Sequence, residues 1–109
     1  MSQVNDVRRK PIFVNLKGEE HEIIFSLEAF AEMEERYGSV DAAMEEMNKG
    51  KVKDIKFFLW AALLHEDNPP SEKEIAKAID IRDLKELIAR VMQALGADAP
   101  SSPDQNPNK

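Results

Sequence analysis

The feature that most constrains this chain is "FFLWAALL", a run of eight consecutive apolar residues from Phe57 to Leu64. The run is too short for a membrane span, since a helix needs about 20 apolar residues to cross a bilayer. Two prolines follow soon after it, and proline cannot continue a helix. We therefore predict a helix that begins near 52–54 and ends at about Glu66.

The faces of this helix admit two interpretations. At about 100° per residue, most of its apolar positions share one broad arc, which consists of Ile55, Phe58, Leu59, Ala62 and Leu63. Phe57, Trp60 and Leu64 fall instead among the charged positions of the helix. Either the helix is central and buried nearly all round, or these three side chains form a partly exposed patch that binds a partner, because Trp is enriched at binding hot spots. Met33, Met44 and Met47 can extend such a patch with adaptable side chains, although methionines at helical spacing are more often core residues.

The stretch "PIFVNLKGEEHEIIF" predicts a β-hairpin near the N-terminus. Apolar residues alternate along it, and Lys17-Gly18 supplies a two-residue turn. With this turn Val14 faces His21, and one side of the hairpin carries Ile12, Val14, Leu16, Ile23 and Phe25. A lone hairpin is only marginally stable in water, so we expect this side to rest on helices. Its outer edges stay open to a further strand.

Two helices are predicted after the hairpin. Ser26 is a suitable N-cap for the first, and Gly38 suits the left-handed position that ends it. The apolar stripe of the first helix is predicted to follow Leu27, Phe30, Ala31, Glu34 and Tyr37. Ser39 can cap the second helix at once, and the core positions of that helix are predicted at Val40, Ala43, Met44 and Met47.

Two further helices are predicted after the prolines. The stretch "SEKE", from Ser71 to Glu74, has the spacing of a capping box and begins a short helix that ends at about Ile79. Asp80 or Asp83 can start the last helix, and Gly96 is predicted to end it. The apolar stripe of the last helix consists of Leu84, Leu87, Ile88, Val91, Met92 and Leu95.

The order of these elements predicts an α+β fold that is mostly α. An N-terminal β-hairpin packs on a bundle of about five short helices, and residues 11–96 form a single domain. We expect a flexible N-terminus at 1–10. The segment 97–109 is rich in Pro, Ser, Asn and Asp, so we predict a disordered C-terminal tail.

Charge and cysteine content narrow the classes of partner and of compartment. The chain has 15 basic and 21 acidic residues, a net charge of −6, which argues against nucleic acid and against an anionic membrane surface as partners. There are no cysteines, so disulfides and thiolate sites are excluded. The opening "MSQVNDVRRKP" lacks the apolar region of a secretory signal. These features fit a protein of a reducing compartment.

The sequence offers little that points to catalysis or to metal binding. We expect His21 to lie in a solvated acidic strand end, beside several glutamates. His65, Glu66 and Asp67 are metal-ligand residue types, but neighbouring residues on a helix point about 100° apart and do not converge on one ion. No pair of carboxylates, nucleophile or phosphate loop stands out. We therefore predict no catalytic, cofactor or metal site and no enzymatic activity.

Several stretches resemble one known family. The helix "LEAFAEMEERYGS", with its Gly-Ser break, and the helix "LWAALLHED", followed by "SEKEI", are similar to parts of the tail assembly chaperones of long-tailed bacteriophages and prophages. The resemblance covers 11–96. It implies a non-enzymatic protein of the bacterial host cytoplasm that binds the tape-measure protein and keeps it soluble while tail tube subunits, a second expected partner, assemble.

The resemblance leaves several matters open. Many members of the family act together with a longer product made by programmed frameshifting, and a homo-oligomer is compatible with this sequence. The resemblance carries no site residues, so the partner-binding prediction at Phe57, Trp60, Leu64, Met33 and Met44 comes from the residues alone. The alternative is a small acidic bacterial protein–protein interaction or regulatory module, for which a basic protein is the expected partner.

Overall fold

The computed structural model describes residues 10–98. The elements follow one another as β1 (Phe13–Leu16), β2 (Glu19–Glu22), α1 (Leu27–Tyr37), α2 (Val40–Asn48), α3 (Val52–Ala62), α4 (Glu72–Ala78), a 3₁₀ turn (Ile81–Asp83) and α5 (Leu84–Asp98). The predicted α+β class, with a hairpin on five helices, is confirmed. The predicted flexible N-terminus (1–10) and disordered tail (97–109) lie outside the described residues, apart from residue 10 and the two residues that end α5.

The hairpin has the register that its turn predicts. The two strands are antiparallel with Val14 opposite His21, and the Ile23 N–H donates to the Ile12 carbonyl at 2.9 Å. Lys17 and Gly18 both have positive φ, 54° and 84°, as the tightest hairpin turns require. The predicted inward side is confirmed: four of its members belong to the core, namely Val14, Leu16, Ile23 and Phe25, and Ile12 packs against them.

The first two helices have the predicted caps. The Ser26 and Ser39 hydroxyls accept hydrogen bonds from the Ala29 and Ala42 N–H groups, and Gly38 ends α1 at φ 96°. The predicted apolar stripe of α1 is wrong in part, because Leu27 is 86% exposed and Ala31 and Glu34 are exposed as well. The buried face of α1 is centred on Ala29 and Met33. A small alanine carries little signal in a hydrophobic pattern, although it lets a helix approach its neighbours closely.

Helix α3 is the centre of the core and is shorter than predicted. It ends at Ala62 and not at Glu66, since the Ala62 carbonyl accepts from the Ile24 N–H at 3.0 Å. The next N–H groups bond back three residues, as in a tightened final turn: Leu63 to Trp60 and Leu64 to Ala61. The segment that follows β2 therefore donates a hydrogen bond to the carbonyl of the last residue of α3.

The last two helices cover the open side of α3 and β1. At the start of α4, Ser71 and Glu74 form the predicted capping box, with both reciprocal hydrogen bonds present. Helix α5 contributes Leu87, Val91, Ala94 and Leu95 to the core. The predicted stop at Gly96 is wrong: the helix continues to Asp98, because glycine inside a helix costs only about 1 kcal/mol. Between residues 10 and 98, no helix has the length and apolar content that crossing a membrane requires.

Candidate functional site

The structure divides the predicted partner-binding patch into buried and half-buried parts. Phe57 and Met33 are 0% exposed, so the prediction that they belong to an accessible surface is wrong. Phe57 is covered by the end of α1: the Tyr37 ring lies edge-on at 5.4 Å between centroids, and the Arg36 guanidinium lies 4.2 Å from the centre of the Phe57 ring. The interpretation of α3 as a helix buried nearly all round is confirmed.

The remaining members of the patch are only half-buried. Trp60 packs against Phe57 with ring centroids 5.6 Å apart, and Met44 packs against the edge of the core. Leu64 follows the end of α3 and is half-buried too. Trp60 and Leu64 thus keep a narrow accessible strip, which is smaller than the patch that the sequence predicts.

A buried carboxylate under α1 was not singled out by sequence. Asp54 is 3% exposed, and its Oδ1 accepts a hydrogen bond of 2.7 Å from the Tyr37 hydroxyl. Its Oδ2 has no hydrogen-bond partner among the described residues. Burial, together with the hydrogen bond to Asp54, raises the pKa of Tyr37. In the sequence, Asp54 stands out only as an acid in the first turn of a very apolar helix. Acids are favoured there by the helix dipole, so the position does not indicate a buried carboxylate.

Beside this carboxylate, Arg36 joins two helices. Its guanidinium donates two hydrogen bonds to the Glu72 carboxylate, at 3.3 and 2.6 Å, and thereby links the end of α1 to the start of α4. The hydrogen bond with Glu72 raises the pKa of Arg36. A cavity of about 480 Å³ lies here, and Arg36, Tyr37, Asp54 and Glu72 are among its lining residues. No serine, cysteine or histidine of the segment 10–98 lines it.

Both histidines bond across the fold. His21 is half-buried and its Nδ1 lies 2.8 Å from Glu66 Oε2, so the expectation of a solvated strand end is wrong. His65 Nε2 lies 2.7 Å from the Glu22 carbonyl oxygen. The hairpin thus meets the turn after α3 at two points. Within 10–98, no three His, Cys, Asp or Glu side chains come together in a group that could hold a metal ion.

A groove runs along the hairpin, with α4, the 3₁₀ turn and α5 on its other side. It consists of three adjoining cavities of about 360, 220 and 290 Å³, which we call together the hairpin groove. The first two cavities share Glu20 and Arg90, and the last two share Ala78. The apolar side chains of the central cavity are Val14, Ala78, Ile79 and Leu87. The sequence predicted Val14 and Leu87 as inward-facing positions and gave no signal that the four side chains meet at a groove.

The rim of the central cavity is acidic. Four carboxylates and one guanidinium line it, from Glu20, Asp80, Asp83, Glu86 and Arg90. Arg82 bonds Asp80 at 2.6 Å and thereby lowers the pKa of that carboxyl. Arg90 bonds Glu86 at 2.7 Å. The rim therefore keeps a negative balance after these ion pairs have formed.

The edges of the hairpin are less open than predicted. On the β1 side, the Arg90 guanidinium donates a hydrogen bond to the Phe13 carbonyl. On the β2 side, the Glu22 carbonyl oxygen is bonded by His65. An added strand would have to replace these side chains, because it pairs through the same outward backbone groups.

The hairpin groove is formed by regular secondary structure. Helix α5 and β1 hold the two walls of the hairpin groove, and Arg90 connects them. Comparison with protein-family models, with curated proteins and with solved structures finds no match to this chain.

Proposed function

We propose that this protein is a tail assembly chaperone of a long-tailed bacteriophage or prophage, which binds the tape-measure protein and keeps it soluble while the tail tube assembles. The observation that carries the proposal is the hairpin groove, where accessible apolar side chains such as Phe13 and Ile79 lie beside an acidic rim. The resemblance of 11–96 to that family supplies the identity of the client.

The physical demands on such a chaperone agree with this surface. A long helical client exposes apolar stripes, and a groove lined by apolar residues accepts such stripes through side-chain contacts. Phe13 adds to the surface: it is 37% exposed and lines the first cavity of the groove. The net charge of −6 favours solubility of the complex. None of these properties needs a catalytic group.

Co-expression with a fragment of the tape-measure protein tests the proposal. The fragment alone is expected in the insoluble fraction. With the chaperone present it is expected in the soluble fraction, and the two proteins are expected to elute together from a size-exclusion column. An insoluble fragment in both cases, with no shared elution peak, would contradict the function.

Two exposed apolar residues give a matched pair of variants. Phe13→Ser removes an exposed apolar side chain that lines the hairpin groove, whereas Leu27→Ser makes a similar change on α1, at a residue that lines none of its cavities. We expect the Phe13 variant to rescue less of the fragment and the Leu27 variant to act like the parent. The reverse order would place the client on another face of the protein.

A further inference from the structure

We infer that the central cavity of the hairpin groove binds a lysine or arginine side chain, carried by an amphipathic helix of the client. The inference rests on the proposed function and adds the chemistry of the segment that is bound. It also applies to any basic amphipathic peptide, because only the groove and its charges enter the argument.

Two carboxylates of the rim are free to receive a cation. Within the described part of the chain, no cation lies within ion-pair distance of Glu20 or Asp83, although Arg82 attracts Asp83 from farther away, whereas Asp80 and Glu86 are each bonded by an arginine. A partner that covers the cavity removes water from these two carboxylates. Such desolvation is costly unless an opposite charge or a donor replaces the water.

The apolar side chains of the cavity fit the rest of a basic side chain. Ala78 and Ile79 are half-buried and line the cavity of about 220 Å³, together with the buried side chains of Val14 and Leu87. Lysine and arginine carry a hydrocarbon stem that packs along apolar surface, with the charge at its tip. The stem can thus contact Ile79 while the head group binds Glu20 or Asp83. An acidic or a purely apolar occupant would leave the carboxylates without a partner.

The occupant is a helix and not an added strand. Pairing of an extended peptide with β1 needs the outward Phe13 carbonyl, and the Arg90 guanidinium already donates a hydrogen bond to it. A helix has no free backbone groups to pair and docks through its side chains alone. The groove offers side-chain contacts on both walls, so a helix can bind without displacing Arg90.

Two synthetic peptides test the charge of the occupant without any client. Both are patterned as amphipathic helices of equal length, one built from Leu and Lys and the other from Leu and Glu. In titrations of ¹⁵N-labelled protein, we expect the Leu-Lys peptide to shift the amide signals of Glu20, Asp83 and Leu87, and the Leu-Glu peptide to leave them in place. Shifts from both peptides alike, or shifts from the Leu-Lys peptide spread over all acidic faces, would overturn the inference.

A matched pair of variants separates the groove from general attraction to an acidic protein. The variant E20Q/D83N removes the two free carboxylates. The control E35Q/D41N makes the same change of charge at exposed positions of α1 and α2, and Asp41, like Asp83, lies in the first turn of its helix. Circular dichroism checks that both variants are folded.

The dissociation constants of the Leu-Lys peptide and of the tape-measure fragment then decide between the outcomes. We expect E20Q/D83N to raise both constants about fivefold and the control to stay within about twofold. Equal losses in the two variants, or no loss in either, would overturn the inference and leave the proposed function standing. If the peptide behaves as expected and the fragment binds neither parent nor variant, the proposed function alone fails.

Discussion

His21 Nδ1 lies 2.8 Å from Glu66 Oε2, and this contact joins β2 to the turn that follows α3. A second contact joins His65 to the Glu22 carbonyl oxygen. Each histidine therefore contacts the residue that follows the other histidine in the sequence. The two contacts hold the hairpin against the end of the central helix.

The His21–Glu66 contact is expected to stabilise the fold. Glu66→Ala should lower the free energy of unfolding by about 1–2 kcal/mol, because the half-buried imidazole loses a charged partner. Glu19 is the matched control: its carboxylate lies 3.6 Å from the other ring nitrogen of His21 and is 80% exposed. Glu19→Ala should change stability by less than about 0.5 kcal/mol. Urea unfolding of both variants measures the difference, and equal effects would argue against the His21–Glu66 bond.

The buried phenol of Tyr37 predicts a loss of stability at high pH. Burial and the hydrogen bond to Asp54 raise the pKa of Tyr37, so the folded protein keeps the phenol proton where the unfolded chain releases it. The free energy of unfolding should therefore fall as pH rises above about 10, by up to about 1.4 kcal/mol per pH unit. Below that pH the contribution is fully present.

Tyr37→Phe is the control for this pH dependence. The variant loses the hydrogen bond to Asp54, so it should be less stable than the parent by about 2 kcal/mol near neutral pH. The gap should narrow as pH rises through about 10–11, since only the parent has a phenol to ionise. Stability curves that run parallel over this range would contradict the prediction.

Substitution by alanine should change the stability of the protein in opposite directions at two glycines. A Cβ at Gly38 or at Gly96 would meet no atom within 4 Å, so packing does not decide either case. Gly38 has φ 96°, and alanine there should cost about 1 kcal/mol. Gly96 lies inside α5, where alanine should add about 0.5–1 kcal/mol to stability. Thermal unfolding measures both changes, and a destabilising change at Gly96 would mean that α5 ends there.

Trp60 tests the remaining accessible strip on α3. Trp60→Ala should leave the protein folded but less stable by about 2–3 kcal/mol, since a half-buried ring that packs on Phe57 is lost. Binding of the tape-measure fragment should be unchanged once the folded fraction is accounted for. Leu64→Ala, at the other member of the strip, should likewise leave binding unchanged. A folded Trp60 variant that no longer binds would move the client site from the hairpin groove to this strip.

Features set by a few neighbouring residues could be predicted from the sequence. The turn at Lys17-Gly18 and the caps at Ser26 and Ser71 follow from local backbone chemistry, and each is present. The central position of α3 followed from the unusual length of its apolar run. Such signals do not depend on how the elements are placed in three dimensions.

Features set by distant residues could not be predicted in this way. The bond from Tyr37 to Asp54 and the end of α3 at Ala62 both depend on what packs beside them. Phe57 occupies a charged face in a helical projection, yet the end of α1 covers it. For the same reason, the groove and the two free carboxylates on its rim appear only once α5 lies against β1.

The histidine contacts can form only after the residues that follow α3 have been synthesised. Glu66 follows His21 by 45 residues, and His65 follows Glu22 by 43. At ribosomal rates of about 5–20 residues per second, 45 residues take roughly 2–9 s to add. During that interval the apolar side of the nascent hairpin has no central helix to cover it. The hairpin is therefore synthesised before the helix on which it packs. Its strand edges stay accessible to mispairing until α3 has been synthesised.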